Sequence, residues 1–107
     1  MVELTVQIPE SLARLPDNER EALIRAGLHV AVSARRRELE AEIATATDQI
    51  RHFEVRYGLS LAQFEREVLP TLDSLQAHEN YNDWFFWDRV LAEKKQLLAD
   101  LQHPDLI

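Results

Sequence analysis

Cysteine is absent from this chain of 107 residues, and glycine occurs only twice. Without cysteine, neither a disulfide bond nor a thiolate zinc site can form. The two glycines, Gly27 and Gly58, lie too far apart to build a phosphate-binding loop or a nucleophile elbow. No other pattern of nucleophile, base or paired carboxylates points to catalysis, so the sequence predicts a protein that is not an enzyme and that needs no metal or cofactor.

The chain also lacks long apolar runs and a surplus of basic residues. No apolar stretch approaches the ~20 residues of a membrane helix, so we expect a cytoplasmic protein without membrane contact. The net charge is −7, and residues 58–107 carry 4 basic and 9 acidic residues against 8 and 10 in residues 1–57. An acidic C-terminal half suits a basic protein partner better than DNA, whose phosphates require clustered lysine and arginine.

Helix is favoured through most of the chain, because few prolines and glycines interrupt it. The clearest pattern is an apolar stripe at alternating steps of four and three residues: Leu39, Ile43, Ala46, Ile50, Phe53 and Tyr57. This spacing keeps one side of a helix against a partner helix, as in a coiled coil. We therefore predict that Leu39, Ile43, Ile50 and Phe53 form a dimerisation seam with a second copy.

The N-terminal residues show an alternating pattern instead of a helical one. Residues 3–8, ELTVQI, alternate apolar and polar side chains, which predicts a half-buried strand over Val2–Ile8. A single strand of this length needs a partner, and no second strand pattern follows in the chain. The strand is therefore expected to pair with another copy or with a sheet edge of another protein, and the alternative is an extended arm packed on helices.

Local signals predict where the helices begin and end. Pro9 suits the start of a short helix that ends at Pro16, after which Asp17 or Asn18 caps a long helix. This long helix either breaks near Gly27–Ala34 or continues and requires a partner.

Further signals mark the C-terminal half. Gly58 is a left-handed stop for the long helix, and Ser60 with Gln63 has the spacing of a capping box that opens a helix over 61–69. One more turn is predicted within 71–77, and the last helix is predicted to begin near Asn80 or Asn82.

The last helix concentrates aromatic residues. Five of the eight lie within seven positions: Tyr81, Trp84, Phe85, Phe86 and Trp87. Successive helix residues are rotated by ~100°, so these side chains cannot all face one stripe. Either several helices surround this segment or a partner protein covers part of it, and both interpretations remain open at this point.

Two segments resemble known proteins. Residues 3–12, ELTVQIPESL, are similar to the opening of small dimeric antitoxins, in which a strand, Pro-Glu and a helix form a ribbon-helix-helix or related dimer. Residues 56–65, RYGLSLAQFE, and residues 80–93, NYNDWFFWDRVLAE, resemble the C-terminal part of a group of small prokaryotic antitoxin-like proteins. The resemblance implies a type II antitoxin, whose N-terminal part dimerises, sometimes on operator DNA, and whose C-terminal part neutralises a toxin, often an RNase.

The expected organisation is a mainly α protein with a short strand, a long central helix, a short capped helix and an aromatic C-terminal helix, in a helical or ribbon-helix-type dimer. Residues 1–57 would dimerise and residues 58–107 would bind the toxin. Large aromatics dominate protein interfaces. The expected toxin contacts are therefore Tyr81, Trp84, Phe85 and Trp87, with Glu79, Asp83 and Asp88 as an acidic surround.

DNA contacts are a weaker expectation. In ribbon-helix-helix proteins the outward strand residues read bases, and Thr5 and Gln7 occupy those positions here. The one basic cluster is Arg35-Arg36-Arg37, and the acidic residues that follow it offset its charge. Glu3 would face phosphate unfavourably, so binding to DNA should be weak. A purely structural helical homodimer and a weak operator-binding repressor are the alternatives to the antitoxin.

Overall fold

The computed structural model describes residues 3–103. It confirms a mainly α fold, and within these residues the elements are α1 (Glu10–Ala13), α2 (Asp17–Tyr57), α3 (Leu61–Glu67), a 3-10 turn (Leu69–Thr71) and α4 (Leu75–Leu101). The chain divides into two compact units, Met1–Ala34 and Arg35–Ile107. This boundary lies within α2, whereas the functional division after residue 57 stays a prediction.

The predicted N-terminal strand is not seen in the single chain, where residues 3–9 form neither helix nor strand. Val2 lies outside the described part. A strand is stabilised by its ladder of hydrogen bonds to a neighbour, and residues 3–103 contain no other strand that could supply one. The alternation of apolar residues is nevertheless real, and it leaves Leu4 86% and Val6 66% exposed.

Arg20 holds the first unit together where α1 meets α2. Its Nη1 donates to the carbonyl oxygens of Ala13 at 3.1 Å and Leu15 at 3.3 Å, and its Nη2 lies 2.6 Å from Asp17 Oδ1. The bond to Ala13 satisfies a carbonyl group that the short helix α1 leaves without a partner. None of residues 3–34 is buried, so this unit has no apolar core of its own among the described residues.

The long helix α2 begins at Asp17 and passes through Gly27 without a break. Of the two alternatives that the sequence left open, the structure therefore shows the continuous helix. Gly58 ends it with a φ of 66°, the left-handed conformation that glycine adopts without steric cost.

The capping box that follows is confirmed. Gln63 N donates to Ser60 Oγ at 3.2 Å, while Ser60 N donates to Gln63 Oε1 at 2.9 Å. Two backbone donors at the start of α3 are thereby satisfied, which makes this corner specific to its sequence.

The predicted start of the last helix near Asn80 or Asn82 is wrong. Helix α4 begins at Leu75, and Ser74 caps it by accepting a hydrogen bond from Ala77 N at 3.3 Å. The range 71–77, where one more turn is predicted, contains the first turn of α4 from Leu75 onward, and a separate 3-10 turn lies over Leu69–Thr71. Asn80, a residue type that often caps helices, is instead buried inside α4, where its side chain bonds to another helix.

The second unit packs α3 and the C-terminal part of α2 against α4. Its core is a cluster of Phe53, Phe64 and Trp84, one residue from each helix. Arg36 Nε donates to the carbonyl oxygen of Leu101 at 2.8 Å, and Lys94 Nζ lies 3.7 Å from Glu42 Oε2. Positions along α2 thus rise as their partners along α4 fall, which defines an antiparallel helix pair.

The two glycines offer a matched test of this backbone. Gly27→Ala should stabilise the protein by about 1 kcal/mol, because alanine favours helix and nothing lies within 4 Å of the added Cβ. Gly58→Ala should destabilise it by about 1 kcal/mol, because a Cβ is strained at a positive φ. Urea unfolding followed by helical circular dichroism measures both, and effects of the same sign would contradict the assigned end of α2.

Candidate functional site

The aromatic segment of α4 divides between the core and the surface. Trp84 is 0% exposed, whereas Phe85 is 39% and Phe86 is 56% exposed. Tyr81 and Trp87 are half-buried and pack against the core cluster. The division follows from the rotation of ~100° per residue, which turns neighbouring side chains toward different surroundings.

Trp84 is enclosed by aromatic rings of the same chain. Its ring stacks on Phe53 and Tyr57 with centroid separations of 5.8 and 5.9 Å, and Phe64 lies 5.4 Å away. Trp84 therefore presents no surface to a partner protein, although the sequence ranked it among the partner contacts. Its Nε1 is buried and has no hydrogen-bond acceptor.

Tyr81 has a partly structural role. Its ring stacks on Phe64 at 6.0 Å, and its hydroxyl donates to Glu65 Oε2 at 3.3 Å. Burial raises the pKa of the Tyr81 hydroxyl above its ordinary value, and the negative charge and hydrogen bond of Glu65 raise it further. Trp87 meets the ring of Phe86 edge to face at 5.3 Å, so it links the core to the exposed side of α4.

The exposed side of α4 carries a shallow groove of about 350 Å³, and we call it the α4 groove. It is lined by Asn82, Phe85, Phe86, Arg89, Val90 and Glu93. The guanidinium of Arg89 lies 5.8 Å from the centre of the Phe85 ring, a cation–π contact that holds this ring in place at the surface. The predicted acidic surround, Glu79, Asp83 and Asp88, is exposed along the same helix.

The predicted dimerisation seam is largely covered within the chain. Leu39 and Phe53 are buried, and Phe53 stacks on Trp84 of α4. Ile43 and Ile50 are half-buried, and Ile50 packs against the core cluster. The stripe packs within the chain, and the predicted contact of Leu39, Ile43, Ile50 and Phe53 with a second copy stays a prediction.

The basic cluster is mostly engaged inside the second unit. Arg35 Nη1 lies 3.0 Å from Glu38 Oε2 and 3.4 Å from Glu42 Oε1. The hydrogen bond to Glu38 is the largest cause that raises the pKa of Arg35 above its ordinary value. Arg36 is bonded to the end of α4, which leaves Arg37 as the exposed member of the cluster. Thr5 and Gln7 are exposed.

Sequence reasoning missed a polar contact inside the second unit. Asn80 Nδ2 donates to the hydroxyl oxygen of Tyr57 at 2.9 Å, and Gln76 Nε2 donates to Asn80 Oδ1 at 3.3 Å. A signal was present, because Asn80 precedes Trp84 by four residues and so shares its face of the helix. This contact fixes the end of α2 against α4 beside the aromatic core.

The chain matches no protein family, no curated protein and no solved structure. Among the described residues, none of the helices combines the length and the apolar character that crossing a bilayer requires.

The raised pKa of Tyr81 gives a prediction with a definite sign. The unfolded tyrosine should lose its proton near its ordinary pKa of 10.0, before the folded one does. The stabilisation is thus complete below 10.0 and is lost as the pH rises through the higher folded pKa. Urea unfolding at about pH 8 and about pH 11 should show a larger loss of stability for the wild type than for Tyr81→Phe. Equal losses would contradict the assigned environment of Tyr81.

Proposed function

We propose that this chain is an antitoxin-like protein that binds and neutralises a partner protein through the α4 groove. The main support for the proposal is a difference in burial between neighbouring aromatic residues. Trp84 is part of the core, whereas Phe85 and Phe86 remain exposed although their helix is already packed against the rest of the unit. Large exposed aromatics are the residues that most often anchor protein interfaces, since they bury much area at low entropy cost.

Charge supports a basic partner. The chain from residue 58 onward has 4 basic and 9 acidic residues, a net charge of −5, and Glu79, Asp83 and Asp88 are exposed near the aromatic positions. A toxin that acts on RNA carries a basic surface that attracts phosphates, and an acidic protein competes for that surface. In this proposal the α4 groove provides the apolar contacts with the partner protein. The acidic residues attract the basic surface of that partner and favour it over proteins without one.

We also propose that residues 3–8 mediate a homodimer. No backbone N–H or carbonyl group of these residues forms a hydrogen bond within the described chain. Leu4, Val6 and Ile8 line an apolar cavity of about 630 Å³ together with Ile24 and Leu28 of α2. An alternating segment with unpaired backbone groups is suited to pairing with a second strand, and a second copy supplies an identical one.

The repressor alternative has less support from the geometry, because Arg35 and Arg36 already bond to groups of the same unit. That the chain is not an enzyme stays a prediction from the sequence. Exposed side chains are sufficient for binding a partner, whereas catalysis requires reactive groups held in an enclosed site.

Three adjacent residues provide the test of partner binding. Phe85→Ala with Phe86→Ala should leave the helical signal nearly unchanged but weaken binding to the toxin, at about 2 kcal/mol per anchor. Trp84→Ala should instead lower stability by about 3–5 kcal/mol, because it empties the core. The assay is co-purification with the product of the adjacent reading frame, and rescue of the growth arrest that this product causes.

Two results would contradict this function. The first is a neighbouring product that neither binds this chain nor arrests growth. The second is full binding and rescue by the double phenylalanine variant while it remains folded, which would place the interface elsewhere on the protein.

Two variants test the homodimer, and each adds two negative charges to one side of residues 3–8. Leu4→Asp with Val6→Asp should yield a monomer, because buried unpaired carboxylates oppose pairing of the apolar face. Thr5→Asp with Gln7→Asp should remain dimeric, because its charges point to the solvated face. Sedimentation equilibrium distinguishes the two, and a monomeric wild type would overturn the homodimer.

A further inference from the structure

Helix α4 carries two stripes of residues that alternate steps of three and four along the chain. The inner stripe is buried or half-buried in the second unit: Trp84, Trp87, Leu91, Lys94, Leu98 and Leu101. The outer stripe consists of the residue that precedes each of these: Asp83, Phe86, Val90, Glu93, Leu97 and Asp100. Because successive residues are rotated by ~100°, the outer stripe faces a different direction from the inner one. Helix α4 therefore has two sides with the spacing that suits a neighbouring helix.

The apolar residues of the outer stripe remain in contact with solvent. Phe86 is 56% and Leu97 is 39% exposed, and Val90 is half-buried. The stripe runs for about 26 Å, and its residues recur every ~5 Å along the helix axis. A partner helix repeats its side chains at that interval, whereas an extended chain repeats them on one face every ~7 Å and loses register. The outer stripe is therefore suited to a helix.

The charges of the outer stripe have one sign. Asp83, Glu93 and Asp100 are exposed, and the stripe contains no lysine or arginine. Within residues 3–103, the side chains of Asp83 and Glu93 form no ion pair or hydrogen bond, and the carboxylate of Asp100 accepts a bond only from the neutral amide of Gln96. These three carboxylates are therefore available to cations of a partner.

This charge pattern distinguishes between the helices that could lie along the outer stripe. A second copy of α4 would bring carboxylates toward carboxylates, and like charges oppose such a pair. Arg89, a cation beside the stripe, is held over the ring of Phe85. A helix that carries lysine or arginine between its apolar residues would instead form ion pairs along the whole stripe.

We propose that the outer stripe docks one basic amphipathic helix of the partner protein, which lies along α4. Apolar residues of that helix contact Phe86, Val90 and Leu97, and its lysine or arginine residues reach the three carboxylates while their methylene groups cover apolar surface. The inference rests on the proposed function, because the α4 groove forms the first part of this surface. It goes further by naming the element that the partner supplies and by extending the contact to Leu97 and Asp100, which lie beyond the groove.

The probe is a synthetic alanine-rich peptide of about 20 residues, a length at which such a sequence forms helix by itself. It carries leucine opposite the three apolar residues of the outer stripe and lysine opposite the three carboxylates, and it is made in both chain directions. A control peptide has the same composition, with leucine and lysine distributed around the helix.

Fluorescence anisotropy of the labelled peptides, at concentrations where they are monomeric, measures binding to the full chain. The probe should bind saturably in at least one direction, and added salt should weaken its binding. The control peptide should bind roughly tenfold more weakly, because it cannot make the apolar contacts and the ion pairs together.

Two variants test the apolar contacts of the outer stripe. Phe86→Ala with Leu97→Ala should weaken binding of the probe by roughly tenfold or more, because both side chains lie in the contact. Val55→Ala with Leu75→Ala removes apolar groups that are 77% and 76% exposed elsewhere in the same unit, and its affinity should stay close to that of the wild type. The helical signal should change little in both.

A second pair of variants tests the charges. Glu93→Gln with Asp100→Asn should lower affinity for the probe by roughly threefold for each charge removed, and the binding should depend less on salt. Glu40→Gln with Asp73→Asn makes the same change of charge at exposed positions outside the stripe, and its affinity should stay close to that of the wild type.

Several outcomes would overturn the inference. These are no saturable binding of the probe in either direction, equal binding of the control peptide, or equal losses in a stripe variant and its matched control. A change from dimer to monomer in Phe86→Ala with Leu97→Ala, measured by sedimentation equilibrium, would assign the outer stripe to a second copy instead.

The outcomes for the outer stripe and for the proposed function remain distinguishable, because the probe is added without the toxin. A neighbouring product that does not bind the chain would overturn the antitoxin proposal but leave the measured docking of a basic helix in place. Failure of the probe would leave co-purification of the toxin with the Phe85 and Phe86 variant as the independent test of that function.

Discussion

The second unit depends on one aromatic contact, the enclosure of Trp84 by Phe53, Tyr57 and Phe64. These rings come from all three helices of the unit, so their burial fixes α3 and α4 against the end of α2 at one place. Aromatic side chains bury the largest areas of any residue type, which explains how a small core can hold three helices. The contact also requires the corner at Gly58, because only a sharp stop of α2 brings Phe64 back onto Trp84.

Polar contacts set the register that the rings stabilise. Asn80 bonds to Tyr57 next to the core, Lys94 approaches Glu42 midway along the pair, and Arg36 bonds to Leu101 at the far end. Each is specific to one alignment of α2 with α4, whereas apolar packing alone tolerates alternatives. The cost of this arrangement is that Arg36 is no longer available to phosphate, which is one reason why the basic cluster gives little support to DNA binding.

The same core determines which surfaces remain for partners. Because Trp84 faces inward, Phe85 and Phe86 face outward. The first unit presents the opposite case. Its apolar residues have no buried core to enter, so Leu4 and Val6 remain exposed, and the proposed pairing with a second copy would cover them.

The sequence by itself determined the features whose causes are local. It predicted the mainly helical fold, the left-handed stop at Gly58 and the capping box of Ser60 and Gln63, because each depends on neighbours within four residues. It also identified the apolar stripe through Leu39 and Phe53. It misplaced the start of α4, because Ser74 and Asn80 are both ordinary caps and only the contact of Asn80 with Tyr57 shows which one is inside the helix.

Only the tertiary structure decided which groups pack against the apolar stripe and against the aromatic cluster. A stripe at heptad spacing shows that something apolar covers it, but it does not say whether that is another copy or, as for Phe53, a helix of the same chain. Likewise, five clustered aromatics predict a packed helix without showing that Trp84 is core and Phe86 is surface. The physical reason is distance along the chain: Arg36 meets Leu101 across 65 residues, and no local pattern encodes such a contact.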